Sequence, residues 1–270
     1  MARFFSHLQR SFTRFGYSVR SLISANSNDE MPSEQRSSRG QQSSSLTTDS
    51  YYQYELVSNI LNLPRSTGHL CMITCPSNKL IFSATPITFA HFSAFLPIHT
   101  SDDPNFPVFG VSWFDAVLFC NQLSSYMNLP PYYHIVNQEL VRCDQTSKGF
   151  RLPSEQEWEY IATSNNAYTM NDFHERLDDY AWFDSNTKRC MPVAQKKPTP
   201  WGAFDLCGLV WEWCDNDYFN PQEINLNSKS RAMRGGSWID SQFACYVHAR
   251  QFDSPEARSP YVGFRVIRSV

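Results

Sequence analysis

Between positions 237 and 248 the chain places Ser237, Asp240, Cys245 and His248. Asp240, Cys245 and His248 offer an oxygen, a sulfur and a nitrogen, a mixed donor set that suits zinc better than Cu(I) where a loop brings the three together. A lone cysteine has a plainer role as buried packing, because a thiol in apolar surroundings stays protonated and unreactive. Two other groups of residues could do chemistry. Glu155, Glu157 and Glu159 form an acidic cluster, but acids favour the first turn of a helix through its exposed N–H groups, and that is the simpler reading. Trp211 and Trp213 flank Glu212; such aromatics more often pack the centre of a domain than stack on a ligand. HExxH, GxGxxG, Walker A and GxSxG motifs are all missing from the sequence.

Four ordered motifs surround these residues. They are Pro107-Val108-Phe109-Gly110-Val111-Ser112-Trp113-Phe114-Asp115-Ala116, Gly149-Phe150-Arg151-Leu152-Pro153-Ser154-Glu155-Gln156-Glu157-Trp158-Glu159-Tyr160, Gly208-Leu209-Val210-Trp211-Glu212-Trp213-Cys214-Asp215, and a C-terminal set. The last comprises Arg234-Gly235-Gly236-Ser237-Trp238, Ala249-Arg250 and Gly263-Phe264-Arg265-Val266. Together they resemble the formylglycine-generating-enzyme (sulfatase-modifying factor) family. The resemblance implies an α+β, C-type lectin-like fold, in which short twisted sheets and a few helices support long ordered loops.

For the site, the resemblance implies a serine at Ser237 and two copper-binding cysteines, which fall by spacing on Asp240 and Cys245. Soft thiolates select Cu(I) and a carboxylate prefers hard cations, so Asp240 in the first position weakens a copper site severely. Gly208 to Trp213 resembles a family calcium loop, with Leu209 in place of an asparagine and Glu212 retained. Calcium takes six to eight oxygens, so this loss weakens such a site; Asn186, Asp205 and Asp184 are candidate ligands of a second site, with loop hydrogen bonding as their plainer role. Arg234, Arg250 and Arg265 match family arginines that tie loops together through bidentate contacts, and Arg250 could also grip an anionic ligand.

The elements that position these residues can be read locally. Leu70 to Ile73 and Leu80 to Phe82 read as strands joined by Pro76-Ser77-Asn78, and Tyr132 to Val136 with Glu139 to Arg142 as a hairpin turning at Asn137-Gln138. Thr88 caps a helix that sends Phe92, Phe95 and Leu96 inward. Ser112 with Asp115, and Ser154 with Glu157, open two more helices as capping boxes. Their apolar stripes are Trp113, Ala116, Val117, Cys120 and Leu123 in the first, and Trp158, Ile161 and Ala162 in the second.

At 270 residues and 41% hydrophobic content the chain can build one substantial core. Residues 1–25 form a basic amphipathic segment: Arg3, Arg10, Arg14 and Arg20 alternate with Phe4, Leu8, Phe12, Phe15, Val19 and Leu22 at three- and four-residue steps, without a single acid. This composition suits targeting, a membrane surface, or docking on the protein's own body or a partner. Residues 26–55 read as a disordered Ser-rich linker, and residues 56–270 as the folded domain.

A net charge of −3 gives no case for nucleic acid, and no apolar run approaches the ~20 residues that span a bilayer. The eight cysteines lack metal-site spacing and read as reduced, mostly buried thiols, with disulfides as the alternative. The leading expectation is a domain without the copper-dependent oxidase activity that binds an extended peptide or protein partner over Ser237 to Cys245. One alternative is an oxidase converting a protein cysteine to formylglycine, with Cys207 or Cys214 joining Cys245 on the metal. Another is a secreted or membrane-associated effector delivered by residues 1–25.

Overall fold

A computed structural model describes residues 20–21, 57–64, 69–76, 79–98, 103–136, 140–164, 176–217 and 230–270. A five-stranded sheet is built from β1 (Arg20–Ser21), β2 (Val57–Asn62), β3 (His69–Thr74), β4 (Leu80–Ser83) and, from the far end of the chain, β11 (Ile267–Ser269), in that spatial order. β2, β3, β4 and β11 run antiparallel to their neighbours, and β1 lies parallel to β2. The chain termini of the domain therefore close on each other, since Ile267 pairs with Phe82 and Ser269 with Leu80. Extended backbone at Arg20–Ser21 departs locally from the helical pattern expected of residues 1–25. The remainder of that segment and all of the 26–55 linker lie outside the described residues.

The second sheet has four strands in the order β10 (Val262–Gly263), β7 (Trp211–Asp217), β8 (Arg231–Arg234), β9 (Arg250–Asp253). It carries the motifs: Glu212 is paired with Arg234, and Arg234 with Arg250. A separate hairpin, β5 (Tyr133–Val136) with β6 (Leu140–Cys143), matches the expected pairing, although residues 137–139 of its turn are outside the described set.

The three capped helices form where the sequence places them. α1 (Phe89–Ser93) is capped by Thr88, whose hydroxyl accepts from the His91 N–H, while the His91 ring accepts the Thr88 N–H in return. A histidine thus does the work usually done by Glu or Gln at this position of the box. α2 (Trp113–Tyr126) and α3 (Glu155–Ala162) carry the Ser112–Asp115 and Ser154–Glu157 boxes. Every residue of the two expected apolar stripes is buried. In α1, Phe92 is fully inside and Phe95 and Leu96 pack at the margin. A short α4 (Leu177–Tyr180) precedes the loop-rich stretch from Ala181 to Val210, which is lined with buried Phe183, Val193, Trp201, Phe204 and Leu209.

Two apolar clusters fill the interior. One joins α3, the 181–209 loop and the Cys245–Val247 turn to the five-stranded sheet, and the other joins α1, α2, Trp211 and Trp213 to Phe264. Among the described residues no helix is long and apolar enough to cross a membrane. No disulfide joins the eight cysteines; six are buried, Cys71 is half-buried and Cys143 is exposed.

Candidate functional site

The loop between β8 and β9 holds Ser237, Asp240 and Cys245. It folds back on itself because Gly236 sits at φ +78°, where a Cβ would come within 2.6 Å of the Ala244 carbonyl oxygen and 2.8 Å of the Cys245 sulfur. Only glycine tolerates both that conformation and that approach. A short 3₁₀ turn at Gln242–Ala244 then carries Cys245 beneath Ser237, and the thiol points at the Ser237 carbonyl 3.8 Å away.

Asp240 anchors this loop. Its Oδ2 accepts from the Ser237 hydroxyl at 2.5 Å, the Ser237 N–H at 3.0 Å and the Trp211 indole N–H at 2.9 Å. The Asp240 carbonyl meanwhile accepts the Asp184 N–H at 3.0 Å. Asp240 thereby joins the loop to β7 through its carboxylate and to the 181–209 segment through its backbone carbonyl. A negatively charged acceptor with three donors is a strong arrangement, and it occupies the position at which the resemblance implies a thiolate.

Cys245 is fully buried. Burial, reinforced by the nearby carboxylates of Asp240 and Asp184, pushes its thiol up to about 12. Burial raises Cys207 and Cys214 as well, with Cys245 close enough to Cys207 to add to its shift. All three are protonated at neutral pH and poor nucleophiles.

His248 stands apart from Asp240 and Cys245: it is exposed, and its Nδ1 lies 3.0 Å from Glu159 Oε1. Among the described residues no three His, Cys, Asp or Glu side chains are grouped to hold a metal ion. The Asp240, Cys245, His248 donor set is therefore corrected: proximity in sequence is undone by the 3₁₀ turn, which buries the thiol and leaves the imidazole on the α3 side.

Protein groups engage most of the residues expected around calcium. Glu212 is fully buried and receives Arg265 in a fork, with Nε to Oε2 at 2.6 Å and Nη2 to Oε1 at 2.8 Å, plus the Trp158 indole at 2.7 Å. Arg265 also donates to the Ser83 and Phe204 carbonyls, so a single buried cation fastens both sheets and the long loop. Asn186 accepts the Phe183 N–H and donates to Asp178 and Ala181. Asp205 accepts the Ala194 N–H at 2.7 Å through Oδ2, while its buried Oδ1 has no partner. Burial raises the Asp205 carboxyl to about 7. Leu209, in the position of the family asparagine, keeps φ at +69°, a conformation that asparagine and glycine adopt more readily than leucine.

Each acid of the α3 cluster is paired with an arginine. Glu157 meets Arg151 at 2.6 Å, Glu155 takes Arg250 at 2.6 and 2.7 Å, and Glu159 binds the buried Arg234. Burial alone would push Glu155 up, but the hydrogen bonds from Arg250 and Asn216 hold it below the ordinary carboxylate range. Arg250 is thus committed to a carboxylate of its own chain. Trp211 and Trp213 are core residues, the latter giving its N–H to the Val111 carbonyl. Pattern reading missed the Trp211–Asp240 bond; the available signal was an indole needing an acceptor when buried.

This architecture and the motifs it gathers define a sulfatase-modifying-factor-type domain. The chain belongs to that family: the model of the sulfatase-modifying factor enzyme 1-like domain matches residues 80–270. Among curated relatives it is 30% identical over 198 residues to "Chaperone protein LppX" of Paenibacillus barcinonensis, covering 60% of this chain and 70% of that protein. It is 26% identical over 190 residues to the formylglycine-generating enzyme of Streptomyces coelicolor, covering 60% of this chain and 52% of the enzyme. It is 27% identical over 178 residues to "Inactive C-alpha-formylglycine-generating enzyme 2" of Bos taurus, covering 59% and 49%. The chain thus spans about half the length of these last two. Among solved structures, "Treponema denticola variable protein 1" superposes with a TM-score of 0.66 at 25% identity, covering 79% of this chain and 99% of that one. The fold is the expected α+β architecture of short curled sheets and few helices.

Proposed function

We propose that this formylglycine-generating-enzyme-like domain works without copper-dependent oxidase chemistry, as a module that binds an extended peptide or protein over the Ser237–Cys245 loop. The observation that carries the reading is the Asp240 carboxylate, tied to Ser237 and Trp211 where the family pattern has a thiolate. A Cu(I) ion wants two soft sulfur donors. The donor set here does not fit it: one position is a hydrogen-bonded carboxylate, and the other is a buried, protonated thiol. Recruiting Cys207 instead would take the ion into the interior, where both thiols are buried. Calcium at the Gly208–Trp213 loop would have to displace Arg265 and Trp158 from Glu212. A relative named as inactive supports the same direction.

Anaerobic Cu(I) titration of the full chain against a competing chelator, with Cys245→Ala alongside, tests the first half of this reading. No binding beyond that of the variant is expected, and no oxygen uptake with cysteine-containing peptides. Tight one-to-one binding that disappears in Cys245→Ala would restore the oxidase.

A further inference from the structure

Phe243 is 68% exposed, more than any other large apolar side chain among the described residues, and Ile239 on the same loop is 40% exposed. The backbone that presents them is fixed from below. Gly236 packs against the Ala244 carbonyl and the Cys245 sulfur, and the Asp240 carboxylate holds Ser237 and Trp211. The 3₁₀ turn is closed by the Ala244 N–H on the Ser241 carbonyl at 2.9 Å and the Cys245 N–H on the Gln242 carbonyl at 3.1 Å. Phe243 also meets Tyr246 edge-on at 6.3 Å. A braced loop that keeps a phenylalanine and an isoleucine in water forgoes the gain from burying them, and it presents them to a partner with little ordering left to do on binding.

The charged side chains around the loop are committed to their own chain. Asp240 serves Ser237 and Trp211, while Asp184 takes the Ser185 hydroxyl on its carboxylate and the Lys188 ammonium on its carbonyl. Beyond Cys245, His248 lies on Glu159, which also holds Arg234, and Arg250 lies on Glu155. A charged ligand would have to displace one of these partners, and a charge-assisted hydrogen bond is costly to break. The turn itself is Ser241-Gln242-Phe243-Ala244, without a charge, and Ser241 and Gln242 are exposed. An apolar centre with neutral hydrogen-bonding groups at its edge complements a ligand of the same kind.

We infer that the Ser237–Cys245 loop selects an uncharged extended segment carrying large aliphatic or aromatic side chains, which pack on Phe243 and Ile239 while neutral polar groups of the segment meet Ser241 and Gln242. This rests on the preceding reading for the place of the site, and adds the chemistry of the peptide it takes. Charge does not direct the recognition, although the chain as a whole carries a net charge of −3.

The test is fluorescence anisotropy of the full chain with three labelled heptapeptide libraries, in which leucine, isoleucine or phenylalanine alternates with serine, with lysine or with glutamate. The serine library is expected to bind most tightly, with an affinity that changes by less than about twofold between about 50 and about 500 mM salt. Phe243→Ser should weaken it about tenfold and Ile239→Ser less, as expected of a central anchor and a neighbour. Both positions are exposed, so circular dichroism should show either variant folded, and Leu118→Ser, which removes an exposed apolar side chain from α2, should bind as wild type does. Tighter, salt-sensitive binding of the lysine or glutamate library, or undiminished binding by both loop variants, would overturn the inference and leave peptide binding standing. Failure of all three libraries to bind would remove both. Sedimentation of the unliganded chain covers the remaining occupant: a dimer that Phe243→Ser dissociates would assign the surface to a second copy and overturn the inference.

Discussion

Asp240 and Ser237 are joined twice, since one carboxylate oxygen accepts both the hydroxyl and the backbone N–H of the serine. The same oxygen takes the Trp211 indole. This bond pattern converts the position expected of a metal ligand into a clasp between β7 and the β8–β9 loop.

Asp240→Ala should therefore destabilise the fold rather than merely alter a surface. It strands the buried Ser237 hydroxyl and the Trp211 N–H, and an unsatisfied buried polar group costs about 1–3 kcal/mol. Asp240→Asn retains an acceptor for one or more of these donors and should lose less. Urea unfolding of the two variants against wild type measures the difference; equal stability of Asp240→Ala and wild type would contradict the clasp.

Glu212 and Arg265 make the second prediction. Both are fully buried, so removing one partner leaves an uncompensated charge in the interior, at a cost of about 3–5 kcal/mol. Glu212→Gln should be severely destabilised. The Glu212→Gln, Arg265→Met double variant should recover part of the loss, because neither charge remains. A double-mutant cycle in chemical denaturation reads the coupling, and additivity of the two single changes would argue against the pair.

Much of this scaffold could be read from local pattern, while the site could be read only in part. The capping boxes at Ser112 and Ser154 and the stripes behind them depend on spacings of three and four residues, which the sequence displays directly. The arginines were recognisable as loop ties, but their partners lie 53 residues away for Arg265 and 95 for Arg250, beyond any local rule. Asn186, Asp205 and Glu212 show the same limit in their hydrogen bonds. Side-chain type told what each residue could bind, whereas the donors that engage them, Phe183 N–H, Ala194 N–H and the Arg265 fork, are set by tertiary packing.

Asp205 and His91 should give opposing pH dependences. The Asp205 carboxyl is raised to about 7 by burial, so the native state holds its proton more tightly than the unfolded chain does. The stability linked to it is complete below the unfolded carboxylate pKa and is lost as pH rises from about 4 through about 7, by roughly 4 kcal/mol at full effect. Burial lowers His91 to about 4, so its share is complete above the unfolded pKa near 6.5 and is lost as pH falls toward 4. Asp205→Asn keeps an acceptor for the Ala194 N–H and removes the first slope. Its stability relative to wild type should rise from pH 5 to pH 8. His91→Gln should show the opposite relative trend, gaining on wild type as pH falls below 6.5. Thermal melts across this range decide; a pH-independent difference for either variant would remove the corresponding assignment.

Alkylation distinguishes the thiols. Cys143 is exposed, although burial of its surroundings and the Asp215 carboxylate push it up to about 11, whereas Cys245 is fully inside at about 12. Reaction requires both access and thiolate, so iodoacetamide on the folded chain at pH 8 should modify Cys143 slowly and faster at pH 9. Cys245 should react only on the timescale of unfolding, with a rate that denaturant accelerates and pH barely changes. Peptide mapping over time follows each site separately. Rapid modification of Cys245 in the native chain would mean that the loop opens to solvent and that its thiol is available for chemistry after all.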